Sequence, residues 1–368
     1  MIAYSCLIIV TLVFQLLSEF VRRRELRMSF LISVVGLMTV ISAIRFNVGT
    51  DFTHYIEFYD WTQEYGRLSF LEKGFVIFLQ ILQKNNIGYW GIFVFSSILF
   101  GVSVFYFIIS FIPSDEWCYA VFLFVCTGYF FSSLNIVRQY MAMSIAIFGV
   151  IFLFKNRYLT SIVLFITALM FHTSVLFLFL IPVFILILNN RHSKLLLFII
   201  YIISFAVGII GISSIAILVM NKLNLWTQYA ESLAIQDRNN LAVLKALFPN
   251  CLYIYGVIVN KNKLQPTLKI NIGSRGTIYF DDFINSAAGI YAISQLFFSG
   301  FIVYARVSEI FLPFYILFIC KTMRNSEPNI KPFISYLIIS YYVALTIITI
   351  FISNGNGVMP YDIWPALK

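Results

Sequence analysis

The stretch whose reading decides the fold is "YLTSIVLFITALMFHTSVLFLFLIPVFILIL", residues 158–188, an apolar run of 31. One pass through a bilayer takes about 20 residues, so the run is too long for one crossing and tight for two. Basic connectors flank it on both sides, "KNR" at 155–157 and "NNRHSK" at 189–194. Basic connectors gather on the cytoplasmic face, so the run crosses twice or not at all. Two short helices meeting near His172 satisfy the charge rule, with Pro182 as a second interruption.

The same test, applied outward, marks spans at 2–20, 28–46, 89–111, 117–133, 139–154, 195–219, 246–260, 283–299, 301–320 and 333–352. With the short pair the expectation is about 12 transmembrane helices. "RRRELR" (22–27), "KNKLQPTLK" (261–269) and "KTMRNSEPNIK" (321–331) join the two flanking connectors on the cytoplasmic side. Fifteen basic residues then fall inside and seven outside, with three at span boundaries, and both termini face outward. The loop 47–88 carries Asp51, Glu57, Asp60, Glu64 and Glu72 and is expected on the outer face. Its segment "GFVIFLQILQ" (74–83) is too short to span and reads as a re-entrant or interfacial helix. No tail, repeat or low-complexity segment divides the chain, so residues 1–368 are expected to form a single integral membrane domain.

Composition agrees with that reading. The chain is 61% hydrophobic and 11% charged, whereas soluble domains carry about 25% charged residues. Forty Phe and 22 Tyr are too many for one water-soluble core. The apolar runs are continuous where a β-barrel would alternate apolar and polar, so the class is an all-α polytopic membrane protein. Net charge +9 reflects the cytoplasmic connectors and implies no nucleic-acid partner. The five cysteines (6, 118, 126, 251, 320) form no CxxC pair and read as small core residues, with neither a disulfide framework nor a zinc site. "MIAYSCLIIVTLVFQLL" precedes its basic cluster, the reverse of a signal peptide, and is expected to be a retained first helix.

Three arginines stand at span boundaries: Arg45 ends the second, Arg138 begins the fifth and Arg306 lies just inside the eleventh. In this topology all three, and His172, fall at the outer ends of their helices. Singly, each arginine could snorkel to the headgroups. Buried together, they would make a pocket for a mobile polyanion. Diphosphate is the natural one, because the guanidinium fork binds phosphate oxygens bidentately and stays charged. The loop "DFTHYIEFYDWTQEY" (51–65) is dense in aromatic rings and carboxylates, which suit the C–H faces and hydroxyls of sugars; an aromatic belt at the membrane interface is the simpler alternative. Glycosyl transfer also needs a base for the acceptor hydroxyl. Asp51, after the Gly49-Thr50 turn, is the leading choice and His172 the other, although a lone histidine in an apolar run is commonly a packed, hydrogen-bonded residue. Glu309, one turn after Arg306, is placed to orient that arginine. No metal site is evident. Asp281-Asp282 reads as a helix N-cap on the cytoplasmic side, and "NIGSRG" (271–276) lacks the Lys-Ser/Thr of a phosphate loop.

These stretches resemble the EpsG family of Wzy-type polysaccharide polymerases. "RFNVGTDFTHYIEFY" (45–59) is similar to the family's Arg-x-x-x-Gly-x-Asp-Tyr-x-x-Tyr signature, with Phe52 in place of the first tyrosine. "EKGFVIFLQIL" (72–82) resembles its Glu-Pro-Gly-Phe segment, with Lys73 in place of proline. "NIVRQYMAMSIAI" (135–147), "FHTSVLFLFLIP" (171–182), "YARVSEIFLPF" (304–314) and "MPYDIW" (359–364) resemble later motifs in the family's order. The resemblance implies Asp51, His172, Arg138 and Arg306 as catalytic residues. It implies Arg45, Gly49, Thr50, Tyr55, Gln139, Glu309 and Tyr361 as substrate-binding residues, with no metal and no cofactor. It further implies a multi-pass protein of the bacterial inner membrane, similar to the GT-C glycosyltransferases. Such an enzyme joins oligosaccharide repeat units carried on undecaprenyl diphosphate, both as donor and as acceptor, on the outer or periplasmic side. The product would be O-antigen, capsule or exopolysaccharide, and the expected partners are the bilayer, a chain-length regulator and a flippase. The rivals are an O-antigen ligase or another GT-C transferase, and a flippase for the same lipid-linked sugar. A flippase would favour internal repeats, and none is visible.

Overall fold

In hydrocarbon every backbone amide and carbonyl must find its partner within the protein, and helices do this locally. The computed structural model describes residues 2–66, 68–188, 193–210, 240–260, 268–271, 277–298 and 302–365. They are overwhelmingly helical and fall into two compact units, residues 1–175 with 327–368, and residues 176–326.

In the first unit, α1 (Ile2–Phe20), α2 (Arg24–Ala43), α5 (Trp90–Phe111), α8 (Val137–Phe154) and the helix Lys331–Ile352 are each long and apolar enough to cross a membrane. A bent pair, α6 (Trp117–Cys126) and α7 (Tyr129–Asn135), turns by 48° and passes the same test as one element. Among the described residues that makes up to six spans. The bend sits at Gly128, whose φ of +90° is a left-handed conformation that glycine adopts without a Cβ clash. Every residue of α6 and α7 is buried, so the bent pair is the innermost element. The outer helices instead expose Ile9, Val13, Ile32, Ile98 and Val102, the apolar surface that lipid, and not water, would cover.

The run 158–188 is broken near His172, as expected. Helix α9 (Tyr158–Phe171) ends at His172, which is extended at φ −161°. A 3-10 segment, Thr173–Phe179, and a helix, Leu180–Leu188, follow. Pro182 does not interrupt this second helix; it lies in its first turn, where a missing N–H costs no intrahelical bond. Helix α9 packs along α8 through small side chains, with the Ser161 hydroxyl donating to the Gly149 carbonyl at 2.8 Å.

The loop 47–88 holds two helices where one was expected, α3 (Phe52–Tyr65) and α4 (Lys73–Lys84). Their apolar faces enter one cluster with α5 and α8, containing Phe52, Tyr55, Phe75, Leu79, Phe93, Val137 and Met141. The segment is therefore a packed layer over helix ends. The C-terminal stretch closes on it: Asp362–Ile363 pairs antiparallel with β1 (Arg45–Phe46). The carbonyls of Gly357 and Asn356 accept the amides of Gly49 and Thr50, each at 3.0 Å.

In the second unit the helix Phe280–Phe297 is central, packing against Leu180–Leu188, Ser193–Ile210, Asn240–Asn260 and Leu312–Asn325. A short antiparallel pair, β2 (Lys269–Asn271) and β3 (Thr277–Tyr279), precedes it. Three expectations need correction here. The span 301–320 is broken into Ile302–Glu309 and Leu312–Asn325, with Pro313 starting the second piece. Asp281 and Asp282 lie in the first turn of their helix, behind a cap at Tyr279, and Asp281 pairs with Lys321 at 2.6 Å. The span 246–260 begins at Asn240 and contains Pro249; the Pro249 carbonyl accepts the Tyr315 hydroxyl at 2.8 Å. The second half of the expected span 195–219, and most of "KNKLQPTLK" and "NIGSRG", lie outside the described residues. Cys118, Cys126 and Cys320 are buried as expected, but Cys6 and Cys251 are exposed on outward helix faces, where a thiol is a small apolar group against lipid.

Candidate active site

Helix α2 stops at Ala43 and the chain becomes extended at Arg45. The guanidinium folds back into the protein and is fully buried. Its Nη1 donates to the Ser42 carbonyl, to the Ser42 hydroxyl at 2.8 Å and to the Ser97 hydroxyl at 3.3 Å. Its face lies 4.9 Å from the Phe93 ring centre. Nε and Nη2 find no partner among the described residues. An apolar cavity of about 430 Å³ adjoins it, lined by Ala43, Ile44, Trp90, Phe93, Val94 and Trp364. Tyr361, from the closing segment, donates its hydroxyl to the Ile41 carbonyl at 3.0 Å and meets the Tyr4 ring edge-on. Burial pushes the Tyr361 phenol up to about 12, with Arg45 pulling the other way, so it stays a neutral donor.

Gly49 has φ +99°, and a Cβ there would lie 2.9 Å from the Leu134 carbonyl and 3.1 Å from the Asn135 Cα. Only glycine brings the loop so close to the end of α7. Asn135, itself buried, then takes up the loop. Its Oδ1 accepts the Asp51 amide at 2.8 Å and the Thr50 hydroxyl at 3.1 Å. Asp51 stands at the N-cap position of α3, yet its carboxylate caps none of that helix's amides; it is half-buried.

One turn further, the Tyr55 hydroxyl accepts the Arg138 amide at 3.3 Å. Arg138 is in the first turn of α8. Its Nη1 meets Glu72 Oε2 at 2.7 Å, and its guanidinium lies between the Phe58 and Phe75 rings, at 5.6 and 5.8 Å. The other carboxylate oxygen of Glu72 accepts the Thr173 amide at 3.3 Å. That amide follows His172, whose Nδ1 accepts the Ser174 amide at 3.2 Å and is 2.7 Å from the Ser174 hydroxyl. A ring nitrogen that accepts a backbone N–H carries no proton, so a neutral His172 bears its proton on Nε2. Among the described residues no three His, Cys, Asp or Glu side chains gather as a metal would need.

The structure thus brings Gly49, Thr50, Asp51, Tyr55, Arg138 and the His172 turn into one linked group. Arg45, fully buried, and Tyr361, half-buried, bond instead to Ser42, Ser97 and the Ile41 carbonyl. Gln139, beside Arg138 in sequence, is buried within the unit. Arg306 and Glu309 belong to the second unit, both half-buried on the short helix Ile302–Glu309, which is tied to its neighbour by Gln295 Nε2 donating to the Ser308 hydroxyl at 2.6 Å. Two members escaped the sequence reading. Asn135 carries no signal beyond a polar residue closing an apolar helix. Glu72 stands in the "EKGF" stretch, and a carboxylate at the edge of so apolar a segment was the available hint.

Apolar helices around a bent inner pair, with a cation–carboxylate group built from helix ends, define an all-α membrane protein. The chain belongs to the EpsG family, a family of Wzy-like polysaccharide polymerases, whose profile matches residues 28–363. No curated protein matches the chain, and no solved structure does. Membership of this family points to a glycosyltransferase-like polymerase acting in polysaccharide biosynthesis.

Proposed function

We propose that the chain is a Wzy-type polymerase that joins oligosaccharide repeat units carried on undecaprenyl diphosphate, at the outer face of the bacterial inner membrane. It would have about 12 crossings and a GT-C-like arrangement. A sugar hydroxyl of the acceptor unit attacks C1 of the donor chain; the C1–O bond to the lipid diphosphate breaks, and undecaprenyl diphosphate leaves with the bonding pair. The observation that supports this reading best is the hydrogen-bonded linkage of four separate stretches (49–55, 72, 135–138 and 172–174) around Arg138, whose partly exposed guanidinium is held by Glu72.

Arg138 stabilises the charge that the departing diphosphate gains. Asp51 takes the hydroxyl proton: it is half-buried beside the Gly49-Thr50 turn. His172, with its proton on Nε2, is suited to donate toward the leaving group and not to act as base. Tyr55 and Asn135 hold Arg138 and Asp51 in register through backbone amides. Arg306, oriented by Glu309, is kept as a further diphosphate ligand on the sequence alone. The test is to incubate purified protein with a defined undecaprenyl-diphosphate-linked repeat unit. A ladder of products differing by one repeat is expected. Absence of any product longer than the input, with the matching repeat unit, would overturn the reading.

A further inference from the structure

We propose that Glu72 is a positioning residue that sets how tightly Arg138 holds a diphosphate, sharing that arginine with the anion so that the spent lipid can leave. The inference rests on the reading that Arg138 meets the diphosphate. Three observations carry it. First, Glu72 is fixed in place by its own element. A Cβ on Gly74, two residues on, would lie 2.7 Å from both the carbonyl oxygen and the Cβ of Met170. The start of α4 therefore rests directly on the last turn of α9, next to the His172 turn. Second, both carboxylate oxygens are engaged, one by Arg138 Nη1 at 2.7 Å and one by the Thr173 amide at 3.3 Å. A carboxylate held twice is a rigid charge. Third, among the described residues only Nη1 of the Arg138 guanidinium is taken, and the side chains of the pair remain 23% and 17% exposed. An anion can reach the remaining donors.

A diphosphate arriving at this arginine meets a positive charge already half satisfied. The fixed carboxylate repels it, so the ground-state complex is weaker than with a bare arginine. The guanidinium, held by Glu72 and flanked by Phe58 and Phe75, nevertheless stays in place for the moment when charge develops. Weak holding of product and firm placement of the cation serve an enzyme that must release a diphosphate at every cycle.

The expected behaviour of Glu72→Gln follows. The amide can still accept from Thr173, so the fold is kept, but the competing charge is gone. Binding of undecaprenyl diphosphate to the purified protein in nanodiscs should tighten by about fivefold, the size of a partly exposed charge contact. Polymer made in cells should fall at unchanged protein level, because the arginine is less well placed and the product leaves slowly. Glu72→Asp keeps the charge and should leave diphosphate affinity near that of the parent protein while restoring part of the polymer. A residue that merely held the fold together would, on removal, weaken binding or leave it unchanged. Unchanged or weaker diphosphate binding by Glu72→Gln would therefore overturn the proposal. Arg138→Ala separates the two levels. If it loses diphosphate affinity while Glu72→Gln does not gain it, the inference about Glu72 fails alone. If Arg138→Ala binds and polymerises like the parent, the reading of the arginine itself fails, and the inference about Glu72 with it.

Discussion

The side-chain oxygen of Asn135 accepts the backbone amide of Asp51 at 2.8 Å, which ties a half-buried residue of the loop 47–88 to the last residue of an entirely buried helix. The bond explains how a short polar turn acquires a defined position: α7 is immobilised by burial on all sides, and Asn135 passes that rigidity to the loop. Gly49 permits the approach, and the amides of Gly49 and Thr50 complete it against the C-terminal segment.

Asn135→Ala removes this acceptor from the Asp51 amide, a loss of about 1–3 kcal/mol. Polymer formation should drop by about tenfold or more, as misplacement of a reacting group does, while the protein still accumulates in the membrane. Quantifying both polymer and protein by blot in the same cells checks this. Normal polymer would show that the loop needs no such anchor.

Asp51→Asn retains shape and hydrogen bonding but is not a base, so polymer should nearly vanish while lipid-linked substrate still binds. His172→Gln should weaken turnover less, since His172 is read as a donor to the leaving group. The measurement is single-turnover product formation by the two variants at saturating substrate. The reverse ranking would transfer the base to His172, and full activity in both would move it to another group such as Glu57 or Glu309.

Arg138→Ala and Arg306→Ala should each abolish polymer without preventing insertion. Loss of a contact to developing charge costs about 3 kcal/mol, or roughly a hundredfold in rate. Arg138→Lys should recover little, because an ammonium can replace the charge but not the planar fork held between Phe58, Phe75 and Glu72. Near-normal polymer from both alanine variants at equal protein level would mean that the arginines only reach for headgroups.

The charge asymmetry of the connectors predicts that loop 47–88 lies outside and "KTMRNSEPNIK" inside. Gln63 and Asn329 are both exposed. Cysteines placed there, in a background lacking the five natural ones, can be probed with a membrane-impermeant thiol reagent on intact cells with a permeable outer layer. Position 63 should label and position 329 should not. The opposite pattern would invert the topology.

The sequence by itself determined what depends on composition and on short-range rules. Continuous apolar runs made the chain a helical membrane protein, and the basic residues flanking 158–188 required a break that the structure has at His172. Arg45, Arg138 and His172 stood out because a charge or imidazole beside lipid is costly enough to need a reason. What sequence could not contain is which helix ends share a space. Glu72 lies 66 residues from Arg138 and Asn135 lies 84 from Asp51, so neither pairing leaves a periodic trace. The tertiary structure decided that Arg45 turns inward to Ser42 and Ser97 while Arg138 stays partly open beside Glu72. It also placed a second helix, α3, in the loop where the sequence suggested only the one over 74–83, because Phe52 and Tyr55 bury more apolar surface packed against Phe75 and Phe93 than an extended segment could. The bends at Gly128 and before Pro313 belong to the same class of result. Hydropathy over a window of 20 residues sees one apolar run, and only packing reveals that the run turns.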